Sequence, residues 1–134
     1  MKNVEQSSFP GDTCFILFAH GSFSQTWRRP FFDLLQKLRQ ELGERAVSLA
    51  YLENSSPTLE EAIREAKDMT HFQILPLFMS KGRHLQEHLP QLLHQIQSQN
   101  PHISIQLLPP LGEHPLFWEM IANLVRHYFQ TKAR

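Results

Sequence analysis

Four short, nearly unbroken apolar runs recur along the chain, each followed by residues whose apolar positions repeat at helical spacing. The runs are Cys14–Ala19 (CFILFA), Ala46–Leu52 (AVSLAYL), Phe72–Met79 (FQILPLFM) and Ile103–Leu108 (ISIQLL). Apolarity without polar alternation marks strands covered on both faces, the pattern of a parallel sheet. Pro76 removes a ladder donor from the third run, so it is expected at a bulge or a local edge position.

The intervening segments read as helices. Arg28–Leu42 carries Phe31, Leu34, Leu35, Leu38 and Leu42 on one face, with Gly43 as its stop. Ser56-Pro57 offers a cap and a first-turn proline for a second helix, which runs to about Met69 with Glu60 and Glu61 near its start. Leu89, Leu92, Leu93 and Ile96 form a third pattern, with Pro90 in its first turn and Gly82–His88 as a connecting loop. A fourth begins near Pro115 and includes Leu116, Phe117, Met120, Ile121, Leu124 and Val125.

The order βαβαβαβα implies right-handed crossovers and helices on both faces of the sheet. The expected architecture is an α/β, three-layer doubly wound sandwich around a mainly parallel four-stranded sheet. Residues 1–13, polar and without the basic start and apolar core of a secretory signal, are expected to form a flexible tail, and 14–134 a single domain.

Composition narrows the function classes. Lys+Arg and Asp+Glu number 13 each, which removes the basic excess common in nucleic-acid binders. No apolar stretch approaches the roughly 18 residues of a membrane span, so a cytoplasmic protein is expected. The lone Cys14 can form neither an internal disulfide nor a Cys-rich metal site, and inside a strand it reads as a small packed hydrophobe. No GxGxxG or Walker pattern occurs, and Ser22 lacks a nucleophile elbow.

Ligands of open parallel sheets bind beyond the carboxyl ends of the strands. Strand one runs into His20-Gly21-Ser22, strand two into Glu53, strand three into Ser80-Lys81-Gly82-Arg83-His84, and strand four into Gly112-Glu113-His114. From His20 to Glu53, His84 and His114 the intervals are 33, 31 and 30 residues, each one strand-plus-helix unit. His20, Glu53 and His84 are therefore expected on one rim. Two imidazoles and a carboxylate suit a borderline divalent ion and leave positions open for exchange.

A histidine after a strand also serves as a plain loop or capping residue. His114, before Pro115, reads as a helix cap outside the site, and His71, His88, His94, His102 and His127 read as surface residues. Phe31, Phe32, Phe117 and Trp118 fall at helical spacing and are expected mostly in the core. Arg28, Arg29, Lys81 and Arg83 add positive charge near the rim, which suits a multiply carboxylated ligand.

The segments ILFAHGS (Ile16–Ser22), AYLENSSPTLEEAI (Ala50–Ile63), ILPLFMSKGRHLQEHLP (Ile74–Pro90) and LPPLGEHPLF (Leu108–Phe117) resemble the short, single-lobe sirohydrochlorin chelatases of the class II chelatase family. The resemblance implies a chelatase-like fold and insertion of a divalent metal into sirohydrochlorin or a related tetrapyrrole, with release of two protons. The metal, Co2+, Fe2+ or Ni2+, is a substrate, and no permanently bound cofactor is implied. By the motif, His20 and His84 are metal ligands, His20 also a proton acceptor, and Glu53 touches substrate or assists deprotonation. Met79, Ser80, Lys81, Gly82 and Arg83 flank the macrocycle. Such chains work as homodimers with the cleft between subunits. One departure stands out: many relatives have arginine after HGS, whereas Phe23 stands here, leaving Arg28 or Arg29 as the available cation. The competing reading is a non-catalytic metal-binding or metal-delivery protein, and a third is a structural module that binds neither.

Overall fold

The computed structural model describes residues 10–80 and 82–132, and of His84 and Lys132 the backbone alone. Four strands, β1 (Thr13–Ala19), β2 (Val47–Tyr51), β3 (His71–Pro76) and β4 (Ser104–Leu107), alternate with helices α1 (Gln25–Leu42), α2 (Leu59–Glu65), α3 (Gly82–Gln99) and α4 (Pro115–Lys132). The sheet is wholly parallel with the order β2-β1-β3-β4. Each strand falls within one residue of an apolar run at its start, but β3 ends at Pro76 and not at Met79.

Strand periodicity divides the core. Cys14, Ile16 and Phe18 of β1 face α2 and α3, joining Leu59, Ile63, Leu85, Leu89 and Ile96. The alternate residues Leu17 and Ala19 face α1, with Leu35, Val47, Leu49 and Tyr51. Helices therefore lie on both faces of β1, while β4 at the edge alternates exposed and half-buried residues and is not covered on both faces as its apolar run suggested. The thiol of Cys14 is fully buried, and that burial pushes its pKa up.

Pro76 sits in a central strand without a bulge. Leu77 N–H donates to Phe18 O at 2.8 Å, so alternate β3 residues turn their N–H toward β1. Pro76 faces the β4 side, where pairing ends at Ile74 and Leu107. Its missing donor costs no ladder bond there.

Three helices differ from expectation at their boundaries. α1 begins at Gln25, three residues before Arg28, because Ser24 caps it by accepting from Trp27 N–H at 3.2 Å. α2 is capped by Thr58 and not by Ser56, in a capping box with Glu61, and it stops at Glu65, short of Met69. The expected loop Gly82–His88 is helix, and Pro90 lies inside α3. Burial of Leu85 and Leu89, worth about 1.5–3 kcal/mol each, offsets the roughly 3 kcal/mol that an internal proline costs.

α4 is the outlier in packing. It contacts chiefly the preceding 3-10 turn, Leu111–Glu113, and exposes Leu116, Trp118, Met120, Leu124, Val125, Tyr128 and Phe129. Trp118 is thus half outside the core, as is Phe32 of α1, contrary to the reading from helical spacing. No helix among the described residues is long and apolar enough to cross a membrane.

Candidate functional site

The strand order places the crossover reversal between β1 and β3, and a crevice opens at the carboxyl ends of two such strands. His20 is the first residue beyond β1. Its ring lies 4.3 Å from that of Phe78, tilted 39°, and Phe78 in turn touches Phe18. Phe78 is buried while His20 is exposed, so an apolar floor supports an accessible imidazole.

The β2 exit runs beside the β1 exit. Leu52 N–H donates to Ala19 O at 2.8 Å, and Glu53 N–H to His20 O at 3.0 Å. Gly21 adopts φ 100°, and a Cβ there would stand 1.8 Å from Glu53 O. Glycine is required at this contact on both counts. The loops carrying His20 and Glu53 are therefore joined through their main chains.

Ser22 continues the junction. Its N–H donates to Ser55 Oγ at 3.1 Å, and Ser55 Oγ lies 2.7 Å from Ser22 O. Arg28 Nη1 donates to the same carbonyl at 2.6 Å. Of the two candidate cations, Arg28 is the one whose guanidinium reaches the His20 loop. Phe23, next along, is 82% exposed. Burial raises the pKa of the Tyr51 hydroxyl, and the Arg28 charge partly counters the rise.

After β3, Phe78 O and Met79 O accept from Leu111 N–H (2.9 Å) and Gly112 N–H (3.0 Å). The 77–80 connection is thereby held against the turn that follows β4. Met79, Ser80, Gly82 and Arg83 are exposed, with Gly82 at φ 69°. Lys81 and the side chain of His84 lie outside the described residues; the backbone puts His84 in the first turn of α3. Among the described residues no group of three or more His, Cys, Asp or Glu side chains is gathered to hold a metal ion.

Glu53 opens onto a groove of about 390 Å³ between the β2 exit and α3, shared with Leu52, Leu85 and His88. His88 is exposed, as expected of a surface residue, and it also lines this groove, which the sequence reading did not anticipate. The signal that marks it is its position four residues after His84, on the same side of a helix. A larger groove, about 950 Å³, runs along α1 and β2 past Arg28, Arg29, Arg39 and Tyr51 and includes neither His20 nor Glu53. His114 is not a side-chain cap of α4: its Nε2 lies 2.8 Å from Pro109 O, turned back toward β4.

The family model described as CbiX matches residues 14–128. No curated protein sequence matches the chain. Among solved structures, the CbiX protein of Marinobacter aquaeolei VT8, assigned to cobalamin (vitamin B12) biosynthesis, is 25% identical with a TM-score of 0.80. That match covers 91% of this chain and 98% of the other. The sirohydrochlorin chelatase SirB of Bacillus subtilis subspecies spizizenii, in complex with cobalt, is 21% identical (TM-score 0.69). SirB of Bacillus subtilis with Fe3+ is likewise 21% identical (TM-score 0.68). These two matches cover 89% and 86% of this chain, but only 50% and 45% of the SirB chains. The chain thus spans about half the length of SirB.

Proposed function

The chain belongs to the CbiX family, and we propose on that footing that it inserts a divalent metal, cobalt or iron and in some settings nickel, into sirohydrochlorin or a closely related tetrapyrrole. Metal chelation into tetrapyrroles of the sirohydrochlorin type is what the family supports. The observation that carries the finer reading is the junction of the His20 and Glu53 loops at the reversal point of the sheet.

The reaction exchanges two pyrrolic protons for one metal ion, so charge balances without an energy source. His20 takes a pyrrolic proton and contacts the incoming ion. An imidazole suits both tasks, since its ordinary pKa is near neutrality and its neutral form is a metal ligand. His84 is the second ligand. Glu53 contacts the macrocycle or accepts a proton. Met79, Ser80, Lys81, Gly82 and Arg83 border the ring, and Arg28 supplies a cation beside the loop where Phe23 replaces the frequent arginine.

Two copies act together in this reading. Support comes from the half-length match to SirB and from the exposed apolar residues of α4, whose cover a second copy would supply.

Anaerobic incubation with sirohydrochlorin and Co2+, Fe2+ or Ni2+, followed by visible spectroscopy, tests the function. The metallated spectrum is expected to form faster than in protein-free controls. Metal binding without acceleration would instead establish a metal-delivery protein.

A further inference from the structure

We propose that Ser55 is a positioning residue that fixes the distance between the His20 and Glu53 loops by clasping Ser22; the inference rests on the insertion reading above. The β1–β2 register closes at Ala19 and Tyr51, and two further main-chain bonds carry it to His20 and Glu53. Asn54, at φ 60°, then ends the extended run. Beyond it main-chain pairing between the two exits stops, and a side chain replaces it.

Ser55 Oγ accepts from Ser22 N–H and lies within donating distance of both Ser22 O and Asn54 O, each at 2.7 Å. A hydroxyl has one proton, so it serves one carbonyl at a time. Arg28 Nη1 is the second donor on Ser22 O, reaching it from the first turn of α1. Ser22 Oγ accepts from Ser24 N–H at 3.1 Å, tying the loop to the cap of α1. The His20–Ser22 segment is therefore held from one side by Glu53 and Ser55 and from the other by α1.

No slack remains between the clasped segments, because Gly21 already meets Glu53 O where any Cβ would collide. Ser55 need not touch metal or macrocycle. Its effect is to keep the imidazole of one loop and the carboxylate of the other at the spacing that the transfer requires, and a displacement of about 1 Å can cost on the order of a hundredfold in rate.

The test compares Ser55→Ala, Ser55→Thr and Ser55→Val by steady-state insertion and by amide hydrogen exchange. Ser55→Ala is expected to lower kcat about tenfold with KM for the tetrapyrrole within about twofold, and Thr to restore most of the loss. Exchange at the Glu53 and Ser22 amides is expected to rise about tenfold in Ser55→Ala while central β1 amides stay protected. Wild-type kcat with unchanged exchange in Ser55→Ala overturns the proposal, as does a loss confined to KM. If Ser55→Ala fails to fold, the near-isosteric pair decides: Val must lose what Thr keeps. If the wild-type protein inserts no metal, the functional reading falls and the exchange data alone decide the clasp.

Discussion

The main-chain N–H of Glu53 donates to the carbonyl oxygen of His20 at 3.0 Å, although the two residues stand 33 positions apart. The bond lies one residue beyond the end of β1 and two beyond the end of β2, so the pairing of these two parallel strands extends into the loops that carry the candidate chemistry. Sites held on such extensions of a sheet keep their geometry better than sites on free loops.

Gly21 makes this closeness possible. Gly21→Ala must place a side chain against Glu53 O at a φ that L-residues avoid. The expected outcome is a loss of about 2–3 kcal/mol or more in stability, with insertion activity reduced even at temperatures where the variant is folded. Thermal melting and turnover measured together check this. A variant with wild-type melting and wild-type turnover would show that the two loops are not in contact.

Asp12 ties the start of β1 to the start of β3. It accepts from the Thr70 hydroxyl and lies 3.3 Å from His71 Nδ1. The Thr70 hydrogen bond chiefly, with His71 assisting, holds the Asp12 carboxyl below its ordinary value of 3.8. A carboxyl whose folded pKa is depressed stabilises the fold fully above the unfolded value, and that contribution fades as pH falls through the folded value. Asp12→Asn should therefore melt lower than wild type at about pH 6, and the gap should close as the pH falls below the ordinary carboxyl value of 3.8 and through the depressed folded value. A gap independent of pH would remove Asp12 ionisation from the account.

The apolar surface of α4 gives a prediction about assembly. Leu124 is 49% and Phe129 74% exposed, and charge at both opposes burial against a second copy. Wild type is expected to sediment at about twice its chain mass of 15.7 kDa, and Leu124→Glu/Phe129→Glu at the single mass with its fold retained. A monomeric wild type, or a double variant that remains dimeric, would contradict this use of α4.

β1, β2 and β3 were legible because strands buried on both faces must be nearly continuously apolar, whereas β4, at the sheet edge, alternates exposed Ser104 and Gln106 with half-buried Ile105 and Leu107. The rim positions of His20 and Glu53 followed from the same rhythm, since each strand-plus-helix unit returns the chain to one edge. Strand order was not legible: periodicity tells which residues are buried, not which strand lies beside which. The start of α3 was hidden by Gly82 and Pro90, local signals of a loop that the burial of Leu85 and Leu89 overrides. Gly21 could be recognised as permissive, but only the fold reveals the Glu53 carbonyl it must admit. Ser55, an ordinary polar residue in a polar loop, has no sequence signature of its contact with Ser22.

The central claim is that the His20 imidazole takes part in metal insertion. Its most direct test is the rate of sirohydrochlorin metallation by Co2+ with wild type and with His20→Ala, each checked for folding by thermal melting. The account predicts acceleration by wild type and a loss of about a hundredfold or more in a folded His20→Ala protein, since one group supplies both a ligand and a base. Metallation by folded His20→Ala at a rate near that of wild type would contradict it.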